Sequence, residues 1–348
     1  FTHTGDESDN YIDMVFNKKR ADHRKDWLGN YDRELYLDTN TININYEDFI
    51  NKELIHFSKY DCDRSIPNLM DGLKISLRKI LYSAFKKNLT SEIKVAQFTG
   101  YVSEHSCYHH GEASLNQAIV GLAQNYVGSN NINLLVPSGQ FGTRLQGGKD
   151  SASERYIFTY LNKLTRKIFP DSDDAVLKYL MDDGDLVEPQ FYVPIIPMVL
   201  VNGSKGIGTG FSTQILCYNP KDIIATLKYR LERKEGEALS PSWGSDLMPY
   251  YRGFTGSIKR MDDGRHLIKG KYQREKGDMI HVTELPVGCW TDDFKQHLEN
   301  LMDAKSGKNK KVVIRDYDDM STDVTVSFKI KFTTGTVNEL EAQQYENG

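Results

Sequence analysis

Hydrophobic residues recur at helical spacing in three segments between residues 46 and 195. The aliphatic residues of DGLKISLRKILYSAFKK and of GEASLNQAIVGLAQNYV lie three or four positions apart, which is typical of a helix with one buried face. After SASE, which has the form of a helix-capping box, the same spacing is repeated by Ile157, Leu161, Leu164 and Ile168. We therefore predict a third helix there.

The pattern changes to short β-rich runs beyond about residue 195. These runs are IPMVLVNG, MIHVTELPV, KKVVIRDY and VTVSFKIKF, with one helical interval near TDDFKQHLENLM. Residues 1 to 45 are polar, with one predicted helix around DMVFNKKRADHRKDWL. The sequence therefore predicts an α/β (α+β) fold, in which a mostly helical domain precedes an α/β domain. Because the chain begins abruptly and NELEAQQYENG lacks a closing element, we expect a fragment.

Length and composition restrict the class of protein. With 348 residues, of which 39% are hydrophobic, the chain is long enough for two domains with their own cores and too polar for a membrane protein. It has no apolar run of bilayer length and no signal-peptide pattern. Its four cysteines lack CxxC spacing, so neither a zinc ribbon nor a disulfide framework is predicted. We expect a soluble protein of a reducing compartment, with no membrane partner.

Positive charge is concentrated in one part of an acidic chain. Residues 64 to 167 carry 13 lysine and arginine side chains against six acidic ones, a net +7, although the whole chain has a formal net charge of −4. Such a block is typical of a site for a polyanion such as nucleic acid. The alternative is that these side chains only solvate helix faces. Candidate phosphate contacts are Arg64, in an extended segment before Pro67, and Lys74 and Arg78, one helical turn apart.

The segment GTRLQGGKDSASERY combines glycine with positive charge. We interpret Arg144 and Lys149 as members of a flexible basic loop, because glycine lets backbone approach a ligand and cations attract phosphate. Arg155 and Tyr156 fall in the first turn of the third predicted helix, where the helix dipole favours an anion. A tyrosine becomes a nucleophile only when a cation or hydrogen bonds stabilise the phenolate, and Arg155 is placed to do so. The alternative is a structural Tyr156, one of 20 tyrosines.

His109 and His110 precede a predicted helix, where free backbone amides favour an anion. Adjacent histidines cannot both face one metal from a regular helix, and no cysteine or aspartate nearby in the sequence completes a ligand set, so zinc is not predicted. A histidine there would hydrogen-bond a phosphate or move a proton. The acidic clusters DSDD (171–174) and DDGD (182–185) have a spacing that suits magnesium, but their composition favours turns.

The segment NGSKGIGTGFS is rich in glycine and follows an apolar run. Its glycines match neither the dinucleotide-binding nor the P-loop spacing, so a nucleotide-binding α/β enzyme is only a minor alternative. Ile207 is an aliphatic residue between glycines, as expected for a side chain that wedges between DNA base steps. The alternative for Ile207 is a buried loop tip.

Taken in order, these stretches resemble the DNA-gate region of type IIA DNA topoisomerases, specifically the eukaryotic-type topoisomerase II, including members from large DNA viruses. The resemblance extends over essentially the whole chain. It is carried by YEDFINKELIHFS, RSIPNLMDGLK, KVAQFTGYVSEHSCYHHGEASL, AQNYVGSNNINLL, GQFGTRLQGGKDSASERYIF, VEPQFYVPIIPMVLVNGSKGIGTGFS and ELPVGCWT. Where cellular members commonly have LKPGQRK, this chain has LKISLRK, which favours a divergent or viral source.

The resemblance implies three parts and individual roles. The parts are a connector (1–45) following a metal-binding domain that is absent, a winged-helix domain (46–195) with the catalytic tyrosine, and a truncated tower domain (196–348). Tyr156 would attack a DNA phosphodiester, with Arg155 and His109 as catalytic partners. The DNA contacts would be Arg64, Lys74, Arg78, His110 and the base-pair wedge Ile207, to which the charge pattern adds Arg144 and Lys149.

The implied function is that of an ATP-dependent topoisomerase. A transient 5′-phosphotyrosyl link on each of two subunits would give a reversible double-strand break for strand passage, relaxation and decatenation. The expected partners are double-stranded DNA and a second copy of the chain. The expected cofactors are Mg²⁺ and ATP, bound by domains absent here, so no metal site and little or no activity are expected for the chain alone.

Two further expectations concern location and the competing function. The resemblance implies the nucleus for a cellular source, or the host cytoplasm, viral factory or virion for a viral one. The competing interpretation is a winged-helix module that binds duplex DNA without cleaving it.

Overall fold

The computed structural model describes residues 1–233, 247–302 and 313–346. Helices and strands are interspersed throughout these intervals, which confirms a mixed helix-and-sheet fold. The helices are α1 (Asp6–Phe16), α2 (Ala21–Gly29), α3 (Tyr46–Phe49), α4 (Ile55–Ser65), α5 (Ile75–Lys86), α6 (Val95–Ser106), α7 (Glu112–Ala123), α8 (Thr165–Ile168), α9 (Met198–Val201), α10 (Pro220–Glu232), α11 (Thr291–Met302) and α12 (Thr336–Glu346). The strands are β1 (Ile93–Lys94), β2 (Leu135–Ser138), β3 (Phe158–Leu161), β4 (Tyr179–Asp182), β5 (Asp185–Pro189), β6 (Ser204–Ile207), β7 (Ser212–Ile215), β8 (Ser257–Arg260), β9 (His266–Lys269), β10 (Lys271–Glu275), β11 (Met279–Glu284), β12 (Ile314–Asp319) and β13 (Phe328–Phe332).

The N-terminal segment forms two helices where one was predicted. Between α1 and α2, Asn17 has an extended backbone (φ −74°, ψ 119°), and its side chain accepts a hydrogen bond from the backbone N–H of Lys19. Such a local bond competes with continuation of a helix. Both helices pack on a small hydrophobic cluster that includes Met14, Trp27 and Ile50.

The largest hydrophobic core contains residues of α5, α6, α7 and a three-stranded antiparallel sheet of order β1-β3-β2. Fully buried members include Leu81, Phe98, Leu115 and Leu135. The predicted apolar stripes of α5 and α7 are therefore the faces that these helices bury. The same core includes Ile223 of α10, so its packing continues beyond residue 195.

The third predicted helix is instead a loop followed by strand β3. Residues 151–157 are non-helical, so Arg155 and Tyr156 do not lie at a helix N-terminus. Ile157, Thr159 and Leu161 are buried and alternate with more exposed neighbours, which is the period of a strand. The β-branched and aromatic residues of IFTYL also favour a strand. The helical spacing was misleading because it extends across two short elements, β3 and α8.

A four-stranded antiparallel sheet of order β10-β11-β13-β12 and helix α11 share a second hydrophobic cluster. This confirms the strands predicted in MIHVTELPV and VTVSFKIKF and the helix near TDDFKQHLENLM, whereas KKVVIRDY lies partly outside the described residues. The prediction of a strand in IPMVLVNG was wrong, because Met198–Val201 form one helical turn, α9. Most of NELEAQQYENG belongs to helix α12. No helix in the described intervals is both long and apolar enough to cross a membrane.

Candidate active site and nucleic-acid interface

A cavity of about 600 Å³ brings together four predicted site residues from three separate segments of the chain. We call it the basic cavity. The four residues are Arg64, Lys74, His109 and His110. Helices α4 and α5 and the loop before α7 each contribute cationic or imidazole groups, which suit a phosphate, and the carboxylates of Asp61, Asp182 and Glu188 also line the cavity.

Arg64 is exposed in the last turn of α4. The prediction of an extended segment at Arg64 was wrong, because only Ile66, directly before Pro67, leaves the helix (φ −94°, ψ 130°). A cation in the last turn of a helix also interacts favourably with the helix dipole. The exposed guanidinium therefore remains accessible to an anion.

Lys74 lies at the N-cap of α5, with its ammonium group 2.8 Å from the backbone carbonyl of Lys205, to which it donates a hydrogen bond. Partial burial lowers the pKa of Lys74. An ammonium group has three donors, so two remain for other acceptors. Lys74 thus joins the basic cavity to the hairpin β6–β7.

Arg78 is inside the protein, contrary to the prediction of a phosphate contact. It is 4% exposed, and its guanidinium donates to both carboxylate oxygens of Asp71, at 2.7 and 3.1 Å. It also donates to the backbone carbonyl of Leu73 at 2.9 Å. The helical spacing from Lys74 did not reveal this, because the partner Asp71 lies before the helix begins. Arg78 is therefore a buried structural ion-pair residue.

Arg144 is also buried, at 7% exposure, and forms an ion pair with Glu284 of β11. The glycine-rich segment around it is docked against other residues, so the prediction of a flexible basic loop was wrong. At Gly147 (φ 62°), an added Cβ would lie 2.3 Å from the indole of Trp290. Of the two predicted loop cations, only Lys149 is exposed, in a second cavity beside the first turns of α7.

Tyr156 is 76% exposed, in the turn that precedes β3. Its backbone N–H donates to the carbonyl of Ser153 at 2.9 Å, and the carbonyls of Glu154 and Ile157 accept from the first two amides of α6. These bonds anchor the turn to the N-terminus of α6. Within the described residues no hydrogen bond or ion pair reaches the hydroxyl of Tyr156. The tyrosine is therefore presented to solvent on an ordered backbone, beside the exposed Arg155.

The two histidines have different surroundings. His110 Nε2 is hydrogen-bonded to the hydroxyl of Tyr60, and burial, followed by the nearby charge of Arg64, lowers the pKa of His110. His109 is exposed, with Nε2 3.4 Å from a carboxylate oxygen of Asp182. Sequence reasoning missed both partners because they lie far along the chain, and His110 is the histidine held more firmly in the basic cavity.

His109, Asp182 and Asp183 offer ligand atoms within 4.8 Å of one another. Sequence reasoning missed this group because the aspartates lie far along the chain from His109, Asp182 at the end of β4 and Asp183 in the turn that follows, with a φ of 48°. Two carboxylates and an imidazole do not fit Mg²⁺, which prefers six oxygen ligands in an octahedron. The other acidic cluster forms a short 3₁₀ turn, Asp171–Asp173. Both acidic segments are therefore turns, as predicted.

Ile207 is 72% exposed at the end of β6, in the hairpin β6–β7. The glycine-rich segment runs from one strand directly into the next, and no helix N-terminus receives a phosphate there. The hairpin therefore lacks the geometry of a nucleotide-binding loop. It presents an aliphatic side chain to solvent.

The candidate site residues thus lie on three separate surfaces of the chain: the basic cavity, the turn before β3 and the hairpin β6–β7. These surfaces do not form one cavity. Tyr156 and Arg155 lie on the turn before β3, and Ile207 lies on its own hairpin. Neither Tyr156 nor Ile207 is among the residues that line the basic cavity.

Comparisons with known proteins identify the family of the chain. A family model of the A subunit of DNA gyrase/topoisomerase IV matches residues 64–347, and one of the C-terminal associated domain of TOPRIM matches residues 1–62. The chain is 47% identical to DNA topoisomerase 2 top-2 of Caenorhabditis elegans and 48% identical to DNA topoisomerase 2 of Saccharomyces cerevisiae. These alignments cover 99% and 92% of the chain and 23% and 22% of the relatives. The chain therefore spans about a quarter of the length of these relatives.

A solved structure gives the same result. The crystal structure of the Plasmodium falciparum topoisomerase II DNA-binding, cleavage and re-ligation domain matches with a TM-score of 0.86 and 46% sequence identity. The match covers 100% of this chain and 46% of that one. The chain therefore belongs to the DNA gyrase/topoisomerase IV family of type IIA topoisomerases, and it resembles their eukaryotic DNA topoisomerase 2 members.

Proposed function

We propose that the chain is the DNA-gate part of an ATP-dependent type IIA topoisomerase and that Tyr156 is its nucleophile. The observation that carries this proposal is the exposed Tyr156–Arg155 pair on an anchored turn. The family match supplies the reaction class. Arg64, Lys74 and His110 of the basic cavity, together with Lys149, are the proposed phosphate contacts.

The proposed reaction is a transesterification. The phenolic oxygen of Tyr156 attacks phosphorus, its proton leaves, and the bond from phosphorus to the 3′ oxygen of the neighbouring nucleotide breaks. The 3′ oxygen gains a proton, and the 5′ phosphate is held as a phosphotyrosyl ester. Arg155 would stabilise the charge that develops on the phosphoryl oxygens. Because one ester replaces another, the reverse reaction reseals the strand.

We propose double-stranded DNA and a second copy of the chain as partners. A double-strand break needs two nucleophiles, and each chain has one Tyr156. The separation of Tyr156 from the basic cavity is consistent with sites completed between two chains. His109, also exposed, is proposed to assist proton movement there.

Mg²⁺ and ATP are proposed cofactors of the complete gene product, to be bound outside the described residues. The cluster of His109, Asp182 and Asp183 suits neither the geometry nor the ligand preference of Mg²⁺. The glycine-rich hairpin β6–β7 lacks the phosphate-binding loop that ATP would need. The proposed location is the nucleus for a cellular source, and the host cytoplasm, viral factory or virion for a viral one.

The test is the covalent adduct formed by the complete gene product on supercoiled DNA. Tyr156→Phe removes the attacking oxygen, so we expect no adduct after rapid denaturation, whereas the matched control Tyr160→Phe, in the adjoining strand, retains it. Wild-type adduct should map to 5′ ends. A normal adduct in Tyr156→Phe would contradict the assignment.

A non-catalytic duplex-binding module is the second candidate, since the basic cavity is formed without Tyr156. Salt dependence does not separate the two, because both bind phosphates. The adduct does. A wild-type complete gene product that binds duplex DNA tightly and never forms an adduct would favour the binding module.

A further inference from the structure

Helix α4 contacts both the hairpin that carries Ile207 and the histidine of the basic cavity. Three consecutive residues make these contacts: Tyr60, Asp61 and Cys62. They lie within one turn of the helix, so the two contacts share one short rigid segment.

On one side of this turn, α4 holds the tip of the hairpin. The hydroxyl of Thr209, two residues after Ile207, donates to the carboxylate of Asp61 at 3.1 Å. The carbonyl of Thr209 accepts from the thiol of Cys62 at 3.1 Å. With Lys74 bonded to the carbonyl of Lys205, the hairpin is fixed on both sides of Ile207.

The hairpin backbone also lies directly on α4. At Gly206 an added Cβ would stand 2.0 Å from the carbonyl oxygen of Ser65 and 3.0 Å from its carbon. No side chain separates the two backbones there. A displacement of the hairpin must therefore move the end of α4, because close-packed atoms transmit displacement.

On the other side, α4 holds the ring of His110 through the hydroxyl of Tyr60. A phenol is the better donor and a neutral imidazole nitrogen the better acceptor, so Tyr60 donates to Nε2. The proton of the ring then resides on Nδ1, which can donate to a phosphate oxygen. Burial, and then the charges of Arg64, His109 and Lys79, disfavour protonation of His110. The carboxylates of Asp61, Asp182 and Glu188 line the same cavity.

We infer that α4 is a mechanical link between the Ile207 hairpin and His110, with Asp61 and Tyr60 as its positioning residues. Asp61 sets the angle at which Ile207 meets the duplex, and Tyr60 carries the resulting shift of α4 to the histidine. Insertion of the wedge thereby aligns His110 with its phosphate. This inference rests on the proposed function.

The hairpin side is tested by DNA bending, measured as energy transfer between dyes at the ends of a duplex. The protein is the complete gene product with Tyr156→Phe, so chemistry plays no part. Loss of a hydrogen bond to a carboxylate weakens the bent complex about fivefold in Asp61→Ala and in Thr209→Val. The double variant is no weaker than either single one. The control Asp63→Ala, on the same helix but paired with exposed Lys59, bends DNA normally. Normal bending by Asp61→Ala would overturn the inference.

The histidine side is tested by the rate of adduct formation with Tyr156 intact. Tyr60→Phe removes one hydroxyl, and the variant protein should bend DNA normally but form the adduct about fivefold more slowly. The midpoint of the pH profile of adduct formation should move upward, because the hydrogen bond that favours the neutral ring of His110 is lost. The control is Tyr36→Phe, whose ring stacks on His56 elsewhere.

The link itself is tested by combining Ile207→Ala with Tyr60→Phe. If α4 couples the two sites, Ile207→Ala slows wild-type adduct formation but slows the Tyr60→Phe protein much less. Effects that simply multiply would refute the link and leave the proposed function intact. Absence of any wild-type adduct would instead count against the proposed function.

Discussion

At the residue scale, two arginines of the basic block have opposite environments. Arg64 is exposed at the end of α4, whereas Arg78 is enclosed with Asp71. Net charge in a segment counts cations but does not show which of them are paired. Arg64 is therefore available for its proposed contact with DNA, whereas Arg78 contributes to the fold through a buried ion pair.

Replacement of each arginine by alanine should separate these purposes. Arg78→Ala leaves Asp71 buried without its partner, and we expect a loss of about 3–5 kcal/mol in the free energy of unfolding. Arg64→Ala should change that free energy by less than about 0.5 kcal/mol, while lowering duplex affinity and reducing the slope of log affinity against log salt by about 1. Urea unfolding and binding titrations at several salt concentrations measure both. Intact stability with lost DNA affinity in Arg78→Ala would restore the phosphate-contact prediction.

His110 should make folding sensitive to acid. Its pKa is lowered from 6.5 by burial, so the folded protein favours the neutral ring. No effect is present above pH 6.5, and stability is lost as the pH falls below that value, because the unfolded chain binds the proton more readily. His110→Gln should therefore lose less stability than wild type between about pH 7.5 and pH 5. Denaturant unfolding at both pH values measures the difference, and an equal loss in both proteins would contradict it.

At the element scale, periodicity identified α5, α7 and α11 but missed α6 and α10, although these have 12 and 13 residues. Helices α5, α7 and α11 were predicted because each repeats its apolar positions over three turns. Strand β3 and helix α9 have four residues each. Four residues are too few to distinguish the period of a helix from the period of a strand. The candidate site residues came from charge and local sequence patterns, and their individual roles came from the family resemblance. Their partners, such as Tyr60 for His110 and Glu284 for Arg144, did not, because tertiary pairs carry no signal in local spacing.

The same substitution should have opposite effects on two elements. Gly206→Ala places a methyl group 2.0 Å from the carbonyl of Ser65, so we expect a loss of about 1–3 kcal/mol in the free energy of unfolding. Gly100→Ala is the matched control in α6, where nothing lies within 4 Å. It should gain about 0.5–1 kcal/mol, because alanine is the better helix former. Thermal unfolding of both variants measures the signs, and a stable Gly206→Ala protein would show that the hairpin can separate from α4.

At the scale of the whole molecule, Glu284 of the four-stranded sheet β10-β11-β13-β12 forms an ion pair with Arg144 of the glycine-rich segment. It is 3% exposed, and besides Arg144 it accepts hydrogen bonds from the backbone N–H and the hydroxyl of Thr255, both at 3.1 Å. A buried ion pair of this kind contributes little net free energy of folding, but removal of one partner is strongly destabilising because the other charge is left buried and unpaired. It therefore specifies how the two cores meet.

Glu284→Ala should loosen this junction. It leaves Arg144 buried and unpaired, so we expect a loss of about 3–5 kcal/mol and faster hydrogen exchange in β8–β13 than in α5–α7. The control Glu275→Ala removes a surface contact with Lys329 and should change stability by less than about 0.5 kcal/mol. Uniformly faster exchange over the whole chain would show that the two cores unfold together.

The anchored turn of Tyr156 has a consequence for the proposed double-strand break. Two backbone hydrogen bonds to α6 and the start of β3 leave the tyrosine only its own side-chain torsions. A DNA strand esterified to the Tyr156 ring would be held close to the protein backbone. It would therefore move together with the chain to which it is linked. The opening available to a second duplex would then equal the distance by which the two proposed subunits separate. Return of the subunits to their original positions would realign the broken DNA ends.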